Sequence, residues 1–139
     1  MAKEANSNNL GKSLPHVIKQ ADDVFSRVIR FLPSDNGLTK CFLCGLPFHW
    51  TTLDCMHYRK RRHLSTRFLK LNCYPGCRPC HTEHENDDAL FKAKIDALHG
   101  EGTADNLTAL SHKERKFTVI ELTEYILYWN EELKFKSRT

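Results

Sequence analysis

Two Cys-x-x-Cys pairs constrain the fold of this chain more than any other feature. Cys41 and Cys44 form the first pair and Cys77 and Cys80 form the second, with residues 45–76 between them. Each pair offers two thiolates on a tight turn, so the two pairs supply the four ligands of a closed tetrahedral Zn²⁺ site. A redox role is disfavoured because no βαβ pattern surrounds either pair. The spacing therefore predicts a structural zinc ion in the middle of the chain.

The overall composition is that of a small globular protein with a mild basic excess. The 139 residues are 40% hydrophobic, and 21 Lys and Arg against 17 Asp and Glu give a net charge of +4. This excess favours a polyanionic partner. No apolar run is long enough to cross a membrane, and the first residues lack the apolar core of a secretory signal. We therefore expect a cytoplasmic protein without membrane association, whose cysteines stay reduced.

Hydrophobic periodicity predicts an α+β chain with one folded domain. Residues 1–12 are polar and are predicted to form a flexible tail, and residues 13–139 are predicted to form a single domain. Within it we expect a lead-in helix at 13–35, a zinc-containing core at 38–98 and a helical C-terminal part at 99–139. Ser13 is a plausible N-cap for the first helix.

Inside these regions the pattern predicts further elements. Residues 48–58 are the most strand-like, and a helix is expected from Cys80 to about Leu98. The last helix is expected to begin at Thr118, since Thr118 and Glu121 have the spacing of a capping box. Residues 106–110 are expected to form a loop or a short helical turn.

The segment between the cysteine pairs has the order of an HNH nuclease motif. The predicted strand ends at about His57, Asn72 is expected in the following loop, and His81 directly follows the last cysteine. Phosphodiester hydrolysis needs a base to deprotonate water and a divalent cation to stabilise the leaving oxygen. We interpret His57 as the base, Asn72 as the residue that holds its ring, and His81 with Asp54 as ligands of the catalytic metal.

Two details of this metal site remain open in the sequence. Asp54 and His57 point to opposite faces of a regular strand, so both reach one metal only if the strand ends or bulges between them. His84 shares a helix face with His81 and is either a further ligand or an exposed histidine. Cys55 and Cys73 stand outside the zinc pairs and are interpreted as small core residues.

A strongly basic stretch directly follows the proposed base. It has six positive side chains and no acidic one. Its position beside the proposed base favours a surface that binds DNA phosphates over an ordinary solvated surface. The six residues are Arg59, Lys60, Arg61, Arg62, Arg67 and Lys70.

The chain resembles the NinG (Rap) family of lambdoid-phage recombination endonucleases over residues 14–136. The resemblance rests on both cysteine pairs, on Asp54-Cys-Met-His57-Tyr-Arg, on Arg67-Phe with Asn72, and on Cys80-His81. It implies a ββα-metal fold and a metal-dependent endonuclease that acts on branched DNA such as Holliday junctions and D-loops. A phage-encoded protein of this kind would work in the host cytoplasm.

Two positions depart from the family pattern. Met56 stands where the family tends to have Gly, and His81 stands where it tends to have Asn. The imidazole at position 81 favours Mn²⁺ over Mg²⁺ relative to an amide oxygen, so the expected catalytic ion is Mg²⁺ or Mn²⁺.

Two nicks are needed to resolve a junction, and the chain carries one HNH motif, so a homodimer is expected. The flanking helices are the expected dimer surface, through Phe25, Ile29, Tyr128 and Trp129. Two alternatives stay open: a zinc-bound DNA-binding module without catalysis, and an HNH nuclease that cuts ordinary duplex.

Overall fold

The computed structural model describes residues 11–138. The predicted tail at residues 1–12 therefore lies outside the described residues except for its last two. The described chain is mixed α and β, as predicted, with six α-helices and two small antiparallel sheets in this part of the sequence. The elements in order are α1 (Leu14–Phe31), β1 (Leu38–Lys40), β2 (Pro47–His49), a 3₁₀ turn (Trp50–Thr52), β3 (Asp54–His57), α2 (Leu64–Arg67), a 3₁₀ turn (Lys70–Asn72), β4 (Cys73–Gly76), α3 (Arg78–Asn86), α4 (Ala89–His99), α5 (Thr103–Ser111) and α6 (Val119–Arg138).

The described residues divide into two compact units. One contains residues 29–115, and the other contains residues 11–28 and 116–138. The single domain predicted for residues 13–139 stays a prediction. No helix in the described part of the chain has both the length and the apolar character needed to cross a membrane.

The unit of residues 11–28 and 116–138 contains most of α1 and all of α6, and both helices are capped at their N-termini. The backbone N–H of His16 donates to Ser13 Oγ, and that of Glu121 donates to Thr118 Oγ1, so both predicted N-caps are confirmed. The Phe25 and Trp129 rings pack with centroids 4.9 Å apart.

The predicted dimer surface is wrong in three of its four residues. Phe25, Ile29 and Trp129 are all buried within the single chain, so a partner cannot reach them. Their apolar area is already removed from water on folding. Tyr128, in contrast, is 63% exposed.

The unit of residues 29–115 contains both sheets and a continuous apolar core. β1 pairs with β2, and β3 pairs with β4 from Asp54 opposite Gly76 to His57 opposite Cys73. The core joins β3 and β4 to helices α4 and α5, and two of the predicted zinc ligands belong to it. Its buried members are Cys41, Leu43, Leu53, Met56, Tyr58, Tyr74, Cys77, Phe91, Ile95, Ala104 and Leu107.

Three predicted elements differ from those observed. The strand expected at 48–58 is interrupted by the 3₁₀ turn Trp50–Thr52, whose start is capped by the His49 side chain. The helix expected from Cys80 to Leu98 is two helices, because Asp87 accepts a hydrogen bond from the Ala89 backbone N–H at the start of α4. The region around residues 106–110 is the full helix α5.

Candidate functional site

The four cysteines of the two pairs come together as predicted. Their sulfur atoms all lie within 4.8 Å of one another, and the Sγ atoms of Cys44 and Cys77 are 3.9 Å apart. Zinc at about 2.3 Å from each sulfur places neighbouring sulfurs about 3.8 Å apart, so this arrangement fits a tetrahedral ion. The cluster can therefore hold the structural zinc that the spacing predicts.

Local backbone geometry positions both turns of this cluster. Gly45 has a φ of 77°, the left-handed conformation that lets the chain turn back after Cys44. The Phe42 backbone N–H donates to Pro75 O at 2.9 Å, which ties the first turn to β4. Cys77 stands at the residue directly before α3, so the second turn is also the start of that helix.

The thiols of the cluster differ in acidity. Burial opposes ionisation of Cys41, but the backbone N–H groups of Cys44 and Cys77 donate toward its sulfur and lower its pKa to about 7. Burial raises the pKa of Cys80 above its usual range, and the neighbouring thiols add to this effect. A divalent cation offsets the repulsion among four thiolates and so stabilises the ionised cluster.

Strand β3 separates the predicted site residues onto two faces. It runs without a bulge through four register pairs with β4, so Asp54 and Met56 lie on one face and Cys55 and His57 on the other. Met56 is fully buried and packs directly over Gly76, where a side chain of any other residue would collide with it. Met56 is thus a core residue, and Gly76 is required beneath it.

Asp54 and His81 are brought together across β3 and α3. Asp54 Oδ2 lies 3.0 Å from His81 Nδ1, and Arg78 also donates to both oxygens of the same carboxylate, at 2.9 and 3.3 Å. Partial burial alone would raise the pKa of Asp54, but the hydrogen bonds from His81 and Arg78 hold it below its usual value. The second ring nitrogen of His81 lies 3.9 Å from the Glu85 carboxylate.

His57 is held by the backbone of the loop that follows β3. Its Nε2 lies 3.1 Å from Arg67 O. A carbonyl oxygen only accepts hydrogen bonds, so Nε2 carries the proton and the lone pair of the neutral ring lies on Nδ1.

Asn72 orders that loop rather than the His57 ring itself. It is fully buried, its Nδ2 donates to Arg59 O and Thr66 O at 3.0 and 3.1 Å, and its Oδ1 accepts from the Arg59 N–H at 2.8 Å. The predicted link between Asn72 and His57 is therefore indirect. Asn72 fixes Thr66, and the next residue, Arg67, presents its carbonyl to His57.

His84 contacts the backbone of the same strand. Its Nε2 donates to His57 O at 3.2 Å, and its ring meets the edge of Phe91. The Nδ1 atom is buried without a hydrogen-bond partner. Burial lowers the pKa of His84, so the ring is favoured in its neutral form. The ligand atoms of Asp54, His81 and His84 do not form one of the close ligand groups found among the described residues.

The basic residues divide into loop supports and exposed cations. Arg59 Nε donates to Ser111 Oγ, and Arg67 donates to Arg61 O, so these two brace the loop. The side chains of Lys60, Arg61, Arg62 and Lys70 are exposed.

A cleft of about 330 Å³ opens beside this loop. Basic loop residues line one side of it, and the other side is lined by His84 and Glu85 at the end of α3 and by Asp88 just after it. The cleft therefore carries positive charge on one wall and negative charge on the other.

Sequence reasoning missed that Cys55 and Cys73 lie beside His57. The three residues offer ligand atoms within 4.8 Å of one another, although the sequence pattern favours core roles for both cysteines. One signal was available in the sequence, since Cys55 is two residues before His57 and so lies on the same strand face. The position of Cys73 directly opposite His57 follows only from the observed strand register.

Comparison with known proteins gives a similarity of limited extent. No protein-family model matches the chain, and no solved structure matches it. The chain is similar to the tRNA modification GTPase MnmE of Bartonella bacilliformis, with 30% identity over 118 residues. The match covers 80% of this chain and 26% of the relative, so the chain spans about a quarter of the length of that protein.

Proposed function

We propose that this protein is an HNH-type, metal-dependent endonuclease that acts on branched DNA. The observation that carries the proposal is the consecutive unit β3–β4–α3, with His57 at the end of its first strand, Asn72 before its second strand and His81 on its helix. The resemblance to the NinG family supports branched recombination intermediates as the substrate class. Because a junction needs two nicks and each chain offers one such unit, we include a homodimer in the proposal.

His57 acts as the general base in this proposal. Its Nε2–H is engaged by Arg67 O, so the ring accepts the proton of the attacking water at Nδ1. The hydrogen bond from Asn72 Nδ2 to Thr66 O fixes the backbone next to that carbonyl, and the carbonyl in turn keeps the His57 ring in one orientation. A fixed ring orientation is what general-base catalysis requires.

Asp54 and His81 are the residues that would hold the catalytic divalent ion. Their facing ligand atoms are 3.0 Å apart, close to the separation of neighbouring ligands around an octahedral ion with bonds of about 2.1 Å. A carboxylate and an imidazole suit Mn²⁺, and Mg²⁺ completes such a site with water and phosphate oxygens. When bound, the ion supplies positive charge that stabilises the leaving oxygen. His84 is not part of this pair, since its Nε2 is used on the backbone of β3.

A second candidate function is DNA binding without cleavage. The Arg78 guanidinium already neutralises Asp54, and Asp54 and His57 project from opposite faces of β3. Both observations favour a structural role for Asp54 and His81, in which the zinc cluster and the basic loop alone make a nucleic-acid-binding module.

The GTPase activity named for the relative is not part of this proposal. A phosphate-binding loop needs the pattern Gly-x-x-x-x-Gly-Lys-Ser/Thr. The chain has Gly11-Lys12-Ser13, but Asn6 stands at the position of the first glycine. The similarity to this relative is therefore one of sequence and does not extend to a phosphate-binding loop.

Cleavage of a synthetic four-way junction, beside a linear duplex of matched sequence, tests the proposed function. With Mg²⁺ or Mn²⁺ we expect the junction to be nicked, and His57→Ala to lower the rate by about 100-fold or more, because loss of a general base removes help given only in the transition state. Junction binding should be retained. His16→Ala, which replaces an exposed histidine on α1, is the matched control.

Each possible result of this assay selects one interpretation. Binding without nicking by the wild type supports the non-catalytic module. Equal cleavage of junction and duplex supports an enzyme for ordinary duplex. Parallel loss of binding and cleavage in His57→Ala means that the residue is structural.

Removing two exposed cations from the basic loop should weaken DNA binding in a salt-dependent way. We expect Arg61→Ala with Arg62→Ala to reduce the slope of log affinity against log salt by about 1 for each phosphate that the variant no longer binds. The matched control is Lys19→Ala with Lys94→Ala, which removes the same charge from exposed positions on α1 and α4. If the slope falls equally in the two double variants, the effect reflects net charge alone, and this result contradicts specific phosphate binding by the loop.

A further inference from the structure

Cys55, His57 and Cys73 form a second group of metal-ligand atoms, separate from the four-cysteine cluster. Two sulfurs and one ring nitrogen lie within 4.8 Å of one another. Cys55 and His57 share one face of β3, and Cys73 stands opposite His57 in the register of β4. Paired strands hold all three residues, so their proximity follows from the fold and not from a flexible loop.

The chemistry of this donor set matches zinc. Two thiolates and one imidazole are ligands that Zn²⁺ prefers, and a set of three protein ligands with an open fourth position is typical of reactive zinc sites. A tetrahedral zinc ion places neighbouring sulfur and nitrogen ligands about 3.5–3.8 Å apart. A pair of atoms at the 4.8 Å limit therefore needs to approach by about 1.0–1.3 Å, which side-chain rotation can supply.

The Arg67 carbonyl contacts two of these ligands. Arg67 O accepts from His57 Nε2–H at 3.1 Å and from the Cys73 thiol at 3.6 Å, and the thiol gives up this proton when Cys73 binds a metal as the thiolate. The ring is thus held with its lone pair on Nδ1, and metal-binding histidines are commonly fixed in this way by a backbone carbonyl at their other nitrogen. Cys73 is buried, while Cys55 and His57 are only partly buried, so the group is reachable from solvent on one side.

We propose that Cys55, His57 and Cys73 bind a second zinc ion whose fourth ligand is exchangeable. This site goes beyond the proposed nuclease function and does not depend on it. One consequence does rest on that function: zinc at this site occupies the imidazole that would serve as the base, so the second equivalent of zinc inhibits DNA cleavage.

The metal content of the intact protein tests the site directly. The probe is Zn²⁺ added in excess and then removed by gel filtration, with bound zinc measured by elemental analysis. We expect two equivalents per chain in the wild type and one in Cys55→Ser, with the near-ultraviolet circular dichroism unchanged. His57→Gln is the second variant and should also bind one equivalent. A wild type that retains one equivalent overturns the proposal, as does a folded Cys55→Ser protein that retains two.

Cobalt substitution and cleavage assays separate this proposal from the proposed function. Co²⁺ in the wild type should fill two sites in sequence, and the absorption of the three-ligand site should be missing in Cys55→Ser. Junction cleavage by the wild type should fall as the second equivalent of zinc binds, and cleavage by Cys55→Ser should not respond to it. Two bound zinc ions with no cleavage under any condition contradict the nuclease and leave the metal site standing.

Discussion

Removal of zinc from the four-cysteine cluster should unfold the unit of residues 29–115. Two members of the cluster, Cys41 and Cys77, are also buried members of its apolar core, so a zinc ion bound there would be joined directly to the core. Structural zinc contributes about 10–16 kcal/mol in zinc-finger peptides, whereas whole domains are stable by about 5–15 kcal/mol. The binding free energy lost when the ion is removed is therefore expected to exceed the free energy of unfolding of this unit.

Chelation and substitution should report the same unfolding. The rings of Phe42, Tyr74 and Phe91 pack on one another in this core, with the Phe42 and Tyr74 centroids 4.0 Å apart. We expect a chelator, or Cys77→Ser, to abolish the near-ultraviolet circular dichroism of these aromatic residues. Cys55→Ser is the matched control, since it replaces a cysteine outside the cluster. If the aromatic signal and the melting curve persist after complete loss of zinc, the cluster does not stabilise the fold.

The four-cysteine cluster was predictable because its signal is local. Each Cys-x-x-Cys pair fixes two ligands within one turn, and only the meeting of the two turns depends on the fold. The N-caps at Ser13 and Thr118 were predictable for the same reason, since a cap depends on the three or four residues that follow it.

The ends of the middle elements were less predictable because short polar side chains compete with the backbone pattern. The apolar spacing after Cys80 is compatible with one long helix. Asp87 accepts a hydrogen bond from the Ala89 N–H and so begins a new helix instead. In the same way, the His49 side chain caps a 3₁₀ turn inside a segment whose composition is strand-like.

The candidate site shows where single-sequence reasoning stops. Strand alternation correctly placed Asp54 and His57 on opposite faces of an unbroken strand. It could not reveal that Arg78 pairs with Asp54, or that Asn72 acts on the loop backbone, because those contacts join residues distant in sequence. The proximity of Cys73 to His57 required the register of β3 and β4, which no local pattern encodes.

Asn72→Ala should destabilise the unit of residues 29–115 by about 3 kcal/mol or more. The substitution removes three hydrogen bonds and leaves the carbonyls of Arg59 and Thr66 and the Arg59 N–H without this partner in a buried position. For a unit of this size the melting temperature should fall by about 10–20 °C in the zinc-loaded protein. Asn106→Ala, at an exposed position in α5, is the control and should change stability by less than about 0.5 kcal/mol.

Asn72→Asp separates the donor role of this side chain from its shape. The carboxylate keeps the acceptor for the Arg59 N–H but loses both N–H groups, and it places negative charge beside the carbonyl oxygens of Arg59 and Thr66. We expect a loss of stability at least as large as that of Asn72→Ala, together with faster hydrogen exchange of the Tyr58 N–H, which donates to Asn72 O. Stability close to that of the wild type in Asn72→Asp would mean that the loop is ordered by other contacts, and the orientation of His57 would then need another explanation.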